Sequence, residues 1–447
     1  MCLSFPITRS IAVQTTADRL YMKRIFLALP ALAAAALILL TPSRSQAQQS
    51  LTWDQVKTRF EAANPALKAD ALGVDEMKAA ETTAFLRPNP QFTLASDATQ
   101  IVPHDGVWKP FSGTDFVPTL SYLHERARKR DLRLESAKEG TRIAASEHED
   151  LQRNLEFSLR GAFVQTLQAK NVLEMAKADL EYYDKIIEIS RSRFKAGDIA
   201  QIDLDRIELL RVQYEQEIQT AMVNLRTAKI ELLALLNDHS PVEQFDVTGR
   251  FDFDEDLRPL EDFRKIALDA RPDLQAALET IQQSETNHKL AMANGSTDPT
   301  ISGWYTYNSS NNNPNGIQTI GASVNIPLRI FDRNQGEKQR TLIDIDKSRQ
   351  TSESTRTQVF SDVDSAYAQL ESNLNLLKPY KARYKAQATR VRDTVTYSYQ
   401  HGGASLLDFL NAQSDYRAVQ LAYLQLIGSY LTTAGQLNLA VGREVIQ

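Results

Sequence analysis

The chain is 447 residues long and holds a single cysteine, Cys2, at its extreme start. That excludes a disulfide framework, a cysteine-based metal site and a thiol nucleophile from its body. Its six histidines, His104, His124, His148, His239, His288 and His401, are scattered without ligand spacing such as a helical i, i+4 pair. No glycine-rich loop cradles a phosphate, and no Ser/His/Asp arrangement stands out. The acidic run "FDFDEDL" from Phe251 resembles a calcium loop in spacing, but lacks its glycine and its terminal glutamate. An enzyme is not expected, nor a cofactor, nor a bound metal. The formal net charge is only -5, which argues against nucleic acid as a partner. Beyond Gln48 there is no run of eighteen apolar residues. The body of the chain is therefore either soluble outside the cytoplasm or crosses a membrane through strands, which need only alternate.

The N-terminus does carry an apolar stretch. "MKRIFLALPALAAAALILLTPSRSQA" begins at Met22 with Lys23 and Arg24, runs apolar from Ile25 to Leu40, and ends on Ser45-Gln46-Ala47. This reads as a secretory signal peptide. Residues 1–47 are thus expected to be an over-called start plus that peptide, with the mature chain beginning near Gln48. An uncleaved inner-membrane anchor is the alternative.

The remainder is built twice. "RFKAGDIAQIDLDR" from Arg193 matches "YQHGGASLLDFLNAQ" from Tyr399 at a shift of 205 residues, placing Gly197 over Gly402 and Asp203 over Asp408. "ANPALKADALGV" from Ala63 likewise matches "ARPDLQAALETI" from Ala270. Each half reads as helix, strand, polar loop, strand, long helix, glycine break and shorter helix. The repeats are placed at 48–258 and 259–447.

The long helices carry a coiled-coil period. Leu155, Leu159, Ala162, Thr166, Ala169, Leu173, Ala176, Leu180, Tyr183, Ile187, Ser190 and Phe194 alternate in steps of four and three. Val363, Tyr367, Leu370, Leu374, Leu377, Lys381, Tyr384, Ala388, Val391, Val395 and Ser398 do the same. The descending segment 124–196 is roughly 110 Å long as helix, but its return, 199–237, only about 58 Å. The separate helix at Pro259–Ala293 matches that shortfall, and the one at Leu51–Leu86 matches the shortfall of the second return. Gly197 and Gly402-Gly403 are read as the bottoms of two hairpins.

Four strands of about ten residues suit an outer-membrane crossing. In "GIQTIGASVNI", Ile320, Ala322, Val324 and Ile326 alternate with Thr319, Gly321, Ser323 and Asn325. Trp304, Tyr305 and Tyr307 are read as part of an aromatic girdle. Four strands cannot close a barrel, so a membrane reading requires two, three or four copies. A small extracytoplasmic sheet with one buried face is the other reading of the alternation.

The duplicated strand–strand–hairpin order, the run "NIPLRIFDRNQGEKQR" (Asn325–Arg340) and the tips at Gly197 and Gly402 resemble the TolC family of outer membrane factors. The likeness covers nearly the whole mature chain and is closest to the heavy-metal (cobalt-zinc-cadmium) efflux branch. It implies a mainly α fold. Duplicated helical hairpins form an α-barrel, and four transmembrane strands per chain join a twelve-stranded β-barrel in a homotrimer. It also implies an equatorial belt at Asp238–Arg258 plus the C-terminal tail, and an outer-membrane location with a long periplasmic extension.

The implied function is passive export, of heavy-metal cations or drugs. A periplasmic adaptor bridges the duct to an inner-membrane pump of RND type, and outer membrane lipid surrounds the strands. Adaptor contact falls on Arg193, Gly197, Asp198, Ile199 and Ala200, and on Tyr399, Gly402, Gly403, Ala404 and Ser405. Rings of acidic residues close the tunnel in relatives; the matching positions are Asp203 and Asp408. Ala404 stands where a relative has arginine, and Asn411 where a relative has a second aspartate. Both aspartates also suit a plainer role, since an acid in a helix's first turn offsets the macrodipole. Rival functions are a duct for type I protein secretion and a periplasmic coiled-coil scaffold without a pore.

Overall fold

The computed structural model describes residues 49–111, 113–308 and 318–446. The signal-peptide reading at 1–47 and most of the second polar loop lie outside them. Among the described residues no helix is long and apolar enough to cross a membrane.

The first repeat runs β1 (Gln49–Leu51), α1 (Trp53–Ala63), α2 (Pro65–Phe85), β2 (Gln91–Asp97), β3 (Asp115–Leu123), α3 (Lys129–Ala196) and α4 (Gln201–Leu235). A connecting belt holds β4 (Phe245–Val247), which pairs with β1. The second repeat follows with α5 (Leu260–Ala270), α6 (Pro272–Asn294), β5 (Thr300–Asn308), β6 (Gln318–Asn325), α7 (Gln335–Pro379), a π-helical turn (Tyr380–Tyr384), α8 (Lys385–Gln400) and α9 (Leu406–Val441). The duplicated order expected from the sequence is present.

Each separate N-terminal helix proves to be two, broken where the repeat has Asn-Pro and Arg-Pro. Pro65 and Pro272 open α2 and α6, where a missing N–H is harmless. The residue before each proline ties the break to a return helix. Asn64 caps α2 through Oδ1 and donates from Nδ2 to Leu235 O at 3.2 Å. Arg271 donates to Ala440 O at 3.2 Å. Leu235 and Ala440 occupy equivalent repeat positions, so α2 continues α4 and α6 continues α9. The length matching paired them the other way round. Length alone could not choose between two partners of similar size, whereas the hydrogen bonds do.

Apolar packing is concentrated in three places. One cluster joins Phe60, Leu159, Leu232 and Val247 at the first break, and a second joins Phe263, Val363, Leu370, Leu377 and Leu437 at the other. The third, containing Tyr183, Ile207, Tyr399 and Phe409, lies near the hairpin ends. Fully burying one such side chain contributes about 1.5–3 kcal/mol. Between the belt and the strands the seam is polar instead. The buried positions of α3 there are Lys129, Glu139 and Ser146. Ser146 donates to Glu279, and Thr286 donates to Glu139, across the α3–α6 contact.

The heptad reading holds in α3 from Leu159 to Ser190, where Leu159, Ala162, Thr166, Leu173, Ala176, Tyr183, Ile187 and Ser190 are buried, whereas Phe194 at its end is exposed. In the second repeat it holds to Leu377 and then slips. Below the π turn the buried positions are Thr396 and Tyr399, each one residue past the expected Val395 and Ser398. A π turn accommodates one extra residue, and Pro379 lies directly before it. That proline cannot donate to the preceding turn, which marks where the regular ladder gives way.

The four long strands form one antiparallel sheet in the order β2-β3-β5-β6. Its register puts Phe92, Leu94, Phe116, Leu120, Ile301, Tyr305, Ile320 and Val324 on one face, all exposed in the single chain. The opposite face carries Thr93, Thr119, Ser121, Ser302, Thr306, Thr319 and Ser323. Trp304 belongs to this polar face, which corrects its place in an aromatic girdle; Tyr305 and Tyr307 keep the apolar face. Strict alternation requires the split. The indole lies against Gly321, its cross-strand partner, where an added Cβ would fall 2.4 Å from the ring.

Candidate docking tips and gate

The two hairpin ends are the same local structure. Helix α3 stops at Gly197 (φ 84°), where Gly197 N donates to Phe194 O and Asp198 N to Arg193 O at 2.9 Å. Helix α8 stops two residues before Gly402 (φ 76°), where Gly402 N donates to Tyr399 O and Gly403 N to Ser398 O at 2.7 Å. Both are Schellman caps with a left-handed residue that glycine adopts without strain. Gly403 has no such φ, and a methyl there meets Ser398 O only at 3.5 Å. Gly402→Ala is therefore expected to lose about 1–2 kcal/mol in a urea titration followed at the tip, and Gly403→Ala to change it little. Equal losses at both would show that the left-handed turn is not what the glycine serves.

The hairpins are joined just above their ends. Arg193 of the first donates to Tyr399 O of the second at 2.6 Å, with its guanidinium 5.1 Å from the Tyr399 ring. Tyr399 stacks on Phe409, and Tyr183 stacks on Tyr214 while donating to Ile207 O. Burial pushes the Tyr183 phenol well up from its ordinary range. Higher up, Arg417 pairs with Glu217 and lies 4.4 Å from the Tyr214 ring. Arg392 sits between Tyr182 and Tyr416.

Asp179 lies within this group. Burial pushes its carboxyl up to about 6, against the pull of Arg417 and Arg392 and with help from Glu217. A raised carboxyl pKa means the folded chain holds a proton that the unfolded chain has released. Stability contributed by this group is thus full below about pH 4 and falls as pH rises through 6. Asp179→Asn is expected to stabilise the chain by about 1 kcal/mol at pH 7.5, with partial solvent screening limiting the gain. At pH 4 it should be neutral. Urea midpoints at the two pH values check this, and a gain equal at both would contradict it.

Of the residues assigned to adaptor contact, Gly197, Asp198, Ala200, Gly402, Gly403 and Ser405 are exposed at the two ends. Arg193, Ile199 and Ala404 are half-buried beside them. Tyr399 is 5% exposed, so its ring shapes the tip from inside rather than presenting a surface. The gate candidates occupy equivalent first-turn positions of α4 and α9. Asp408 Oδ2 accepts from Ser405 N and Ser405 Oγ, completing a capping box, and the Ser405 bonds hold its carboxyl below the usual range. At the first tip Ala200 stands in place of Ser405, and α4 has no side-chain cap. Neither aspartate has an ion pair among the described residues, nor does any cluster there suit a metal. His401 is a turn residue, with Nδ1 2.8 Å from Tyr397 O.

The cross-hairpin contacts were not legible in the sequence. The π turn had one signal, Pro379 inside a heptad run.

Residues 264–443 match the family model described as "Outer membrane efflux protein". The chain is 22% identical over 401 residues to the cobalt-zinc-cadmium resistance protein CzcC of Cupriavidus metallidurans, covering 89% of this chain and 91% of that one. Among solved structures, a CusC transmembrane channel superposes with a TM-score of 0.73 at 17% identity, over 88% of this chain and 92% of that one. The open-state MtrE outer membrane channel of Neisseria gonorrhoeae gives 0.70 at 16%, over 91% and 94%.

Proposed function

We propose that the chain is a member of the outer membrane efflux protein family, whose model matches residues 264–443, and that it is the passive outer-membrane duct of a tripartite efflux system that exports heavy-metal cations. The observation that carries the reading is the sheet: four strands with one apolar and one polar face, and with β2 and β6 left as open edges. An apolar face suits lipid, a polar face suits a wet lumen, and open edges call for neighbouring copies. In this reading three copies close a twelve-stranded barrel, and the paired hairpins continue it into the periplasm. Export then needs no chemistry from the duct; an inner-membrane pump of RND type supplies the energy. The full-length likeness to a cobalt-zinc-cadmium resistance protein supports metal cations as the exported class.

The adaptor would dock on the exposed parts of both tips, around Gly197-Asp198 and Gly402-Gly403. Deleting the gene should sensitise cells to cobalt, zinc or cadmium, and purified chain in planar bilayers should give conductance steps. A scaffold predicts no steps. A secretion duct predicts unchanged metal tolerance with the loss of a secreted protein.

Asp203 and Asp408 are proposed to face the tunnel end, where three copies of each would repel one another and attract cations. Asp408→Asn should weaken block by divalent cations while keeping the helix cap's shape. Unchanged block in the Asp203→Asn, Asp408→Asn double variant would leave these residues with the capping role alone.

A further inference from the structure

The foot of strand β3 holds a basic cavity that the duct reading leaves unused. It has a volume of about 190 Å³, ample for a phosphate group given that a water occupies about 30 Å³ of liquid. Arg87, Arg128 and Arg130 line it together with Tyr122 and His124. Its other charges are engaged elsewhere. Lys129 is paired with Asp298 at 2.6 Å, and Glu125 with Arg133 through two bonds of 2.5 and 2.9 Å. Asp131 reaches Arg128 only at 3.6 Å, on an exposed side chain. Arg87 and Arg130 have no ion pair among the described residues, Arg130 lying instead 4.2 Å over the Phe85 ring. Three guanidinium groups thus surround a space with one weak carboxylate partner between them.

The position says what would fill it. Tyr122 shares the apolar face of the sheet with Phe116 and Leu120. Exposed Phe85 and Leu86 continue that apolar surface downward. The cavity therefore opens where a lipid-facing surface meets the helical part, at the level of headgroups rather than acyl chains. At the N-cap of its long helix the second repeat has Asn334 where the first has Arg128.

We propose that this cavity binds the phosphodiester headgroup of an anionic phospholipid in the periplasm-facing leaflet. Arginine forks match phosphate oxygens in pairs, and the Arg130 guanidinium rests 4.2 Å over the Phe85 ring beside the cavity. The proposal rests on the membrane reading above, and the test separates the two.

The full chain is reconstituted into nanodiscs containing phosphatidylglycerol and phosphatidylcholine, and the lipid retained on partial delipidation is measured by mass spectrometry. The expected result is retention of phosphatidylglycerol above its bulk ratio, falling roughly fivefold for each arginine neutralised in the series Arg87→Gln, Arg128→Gln, Arg130→Gln. Planar-bilayer conductance of the same variants reports whether the duct remains folded. Entry into the disc without enrichment, or enrichment indifferent to the three substitutions, overturns the headgroup site alone. Loss of enrichment in millimolar inorganic phosphate would mean that a free phosphate ion is the ligand, and also overturns it. Failure to enter the disc at all overturns both readings.

Discussion

Replacing Arg271 with alanine is expected to destabilise the chain by about 3 kcal/mol, read as a lower urea midpoint of the helical unit. The guanidinium is 6% exposed and satisfies three partners at once. It forks onto Asp273 at 2.9 and 2.5 Å, reaches Asp362 at 2.8 Å and donates to Ala440 O. One side chain thereby joins the α5–α6 break, the middle of α7 and the end of α9. Removing it leaves Asp273 with Arg153 only at 4.0 Å, Asp362 with Gln358 alone and the Ala440 carbonyl without this donor, and the cost of such poorly compensated groups exceeds the worth of the pair itself. Arg271→Lys should recover only part of the loss, because an ammonium cannot fork onto Asp273 while also reaching Asp362.

The pH dependence gives a second reading of the same residue. Burial works to raise the Asp273 carboxyl, yet the bonds and charge of Arg271 outweigh it and leave it low. A depressed carboxylate contributes stability that is present above its unfolded pKa of about 3.9 and is lost as pH falls through the folded value. The gap between wild type and Arg271→Ala should therefore narrow below pH 4. A gap constant from pH 3 to pH 8 would show that the residue acts through packing alone.

Phe409→Ala should cost about 3–5 kcal/mol, and the loss should be confined to the hairpin ends. The ring is fully buried, stacks on Tyr399 at 5.0 Å between centroids, and shares its cluster with Tyr183, Ile187 and Ile207. That cluster is small and far along the chain from the two belt clusters, so its failure need not spread. Amide exchange should accelerate around 183–214 and 395–413, while protection at 355–377 stays as it was. Uniform loss of protection would show that the tip and belt unfold as one cooperative block.

Much of this architecture could be read from the sequence because it is periodic. A 3.5-residue repeat needs no tertiary knowledge to predict a helical seam, and it placed Leu159, Tyr183 and Ile187 correctly. Likewise, glycine at equivalent positions of a duplication marks a turn whose backbone only glycine enters cheaply, as Gly197 and Gly402 confirm. What failed did so for a local reason. The seam below Pro379 slipped by one residue because a single π turn resets the count without altering composition. Trp304 was grouped with its aromatic neighbours, although adjacent strand residues must face opposite ways. The end-to-end partners of α4 and α9 were exchanged because helix length carries no address; Asn64 and Arg271 carry it. The bridges from Arg193, Arg392 and Arg417 join residues some two hundred positions apart, and no local pattern announces them.

The unequal capping of the two tips reaches beyond either one. A serine-based cap secures a helix start by about 1 kcal/mol relative to alanine, so Ser405 anchors α9 where Ala200 leaves the opening turn of α4 to fray. Any ring assembled from such chains would present firm and loose ends by turns around its rim. A visiting protein would then find half of its footholds already set and would have to order the other half on arrival.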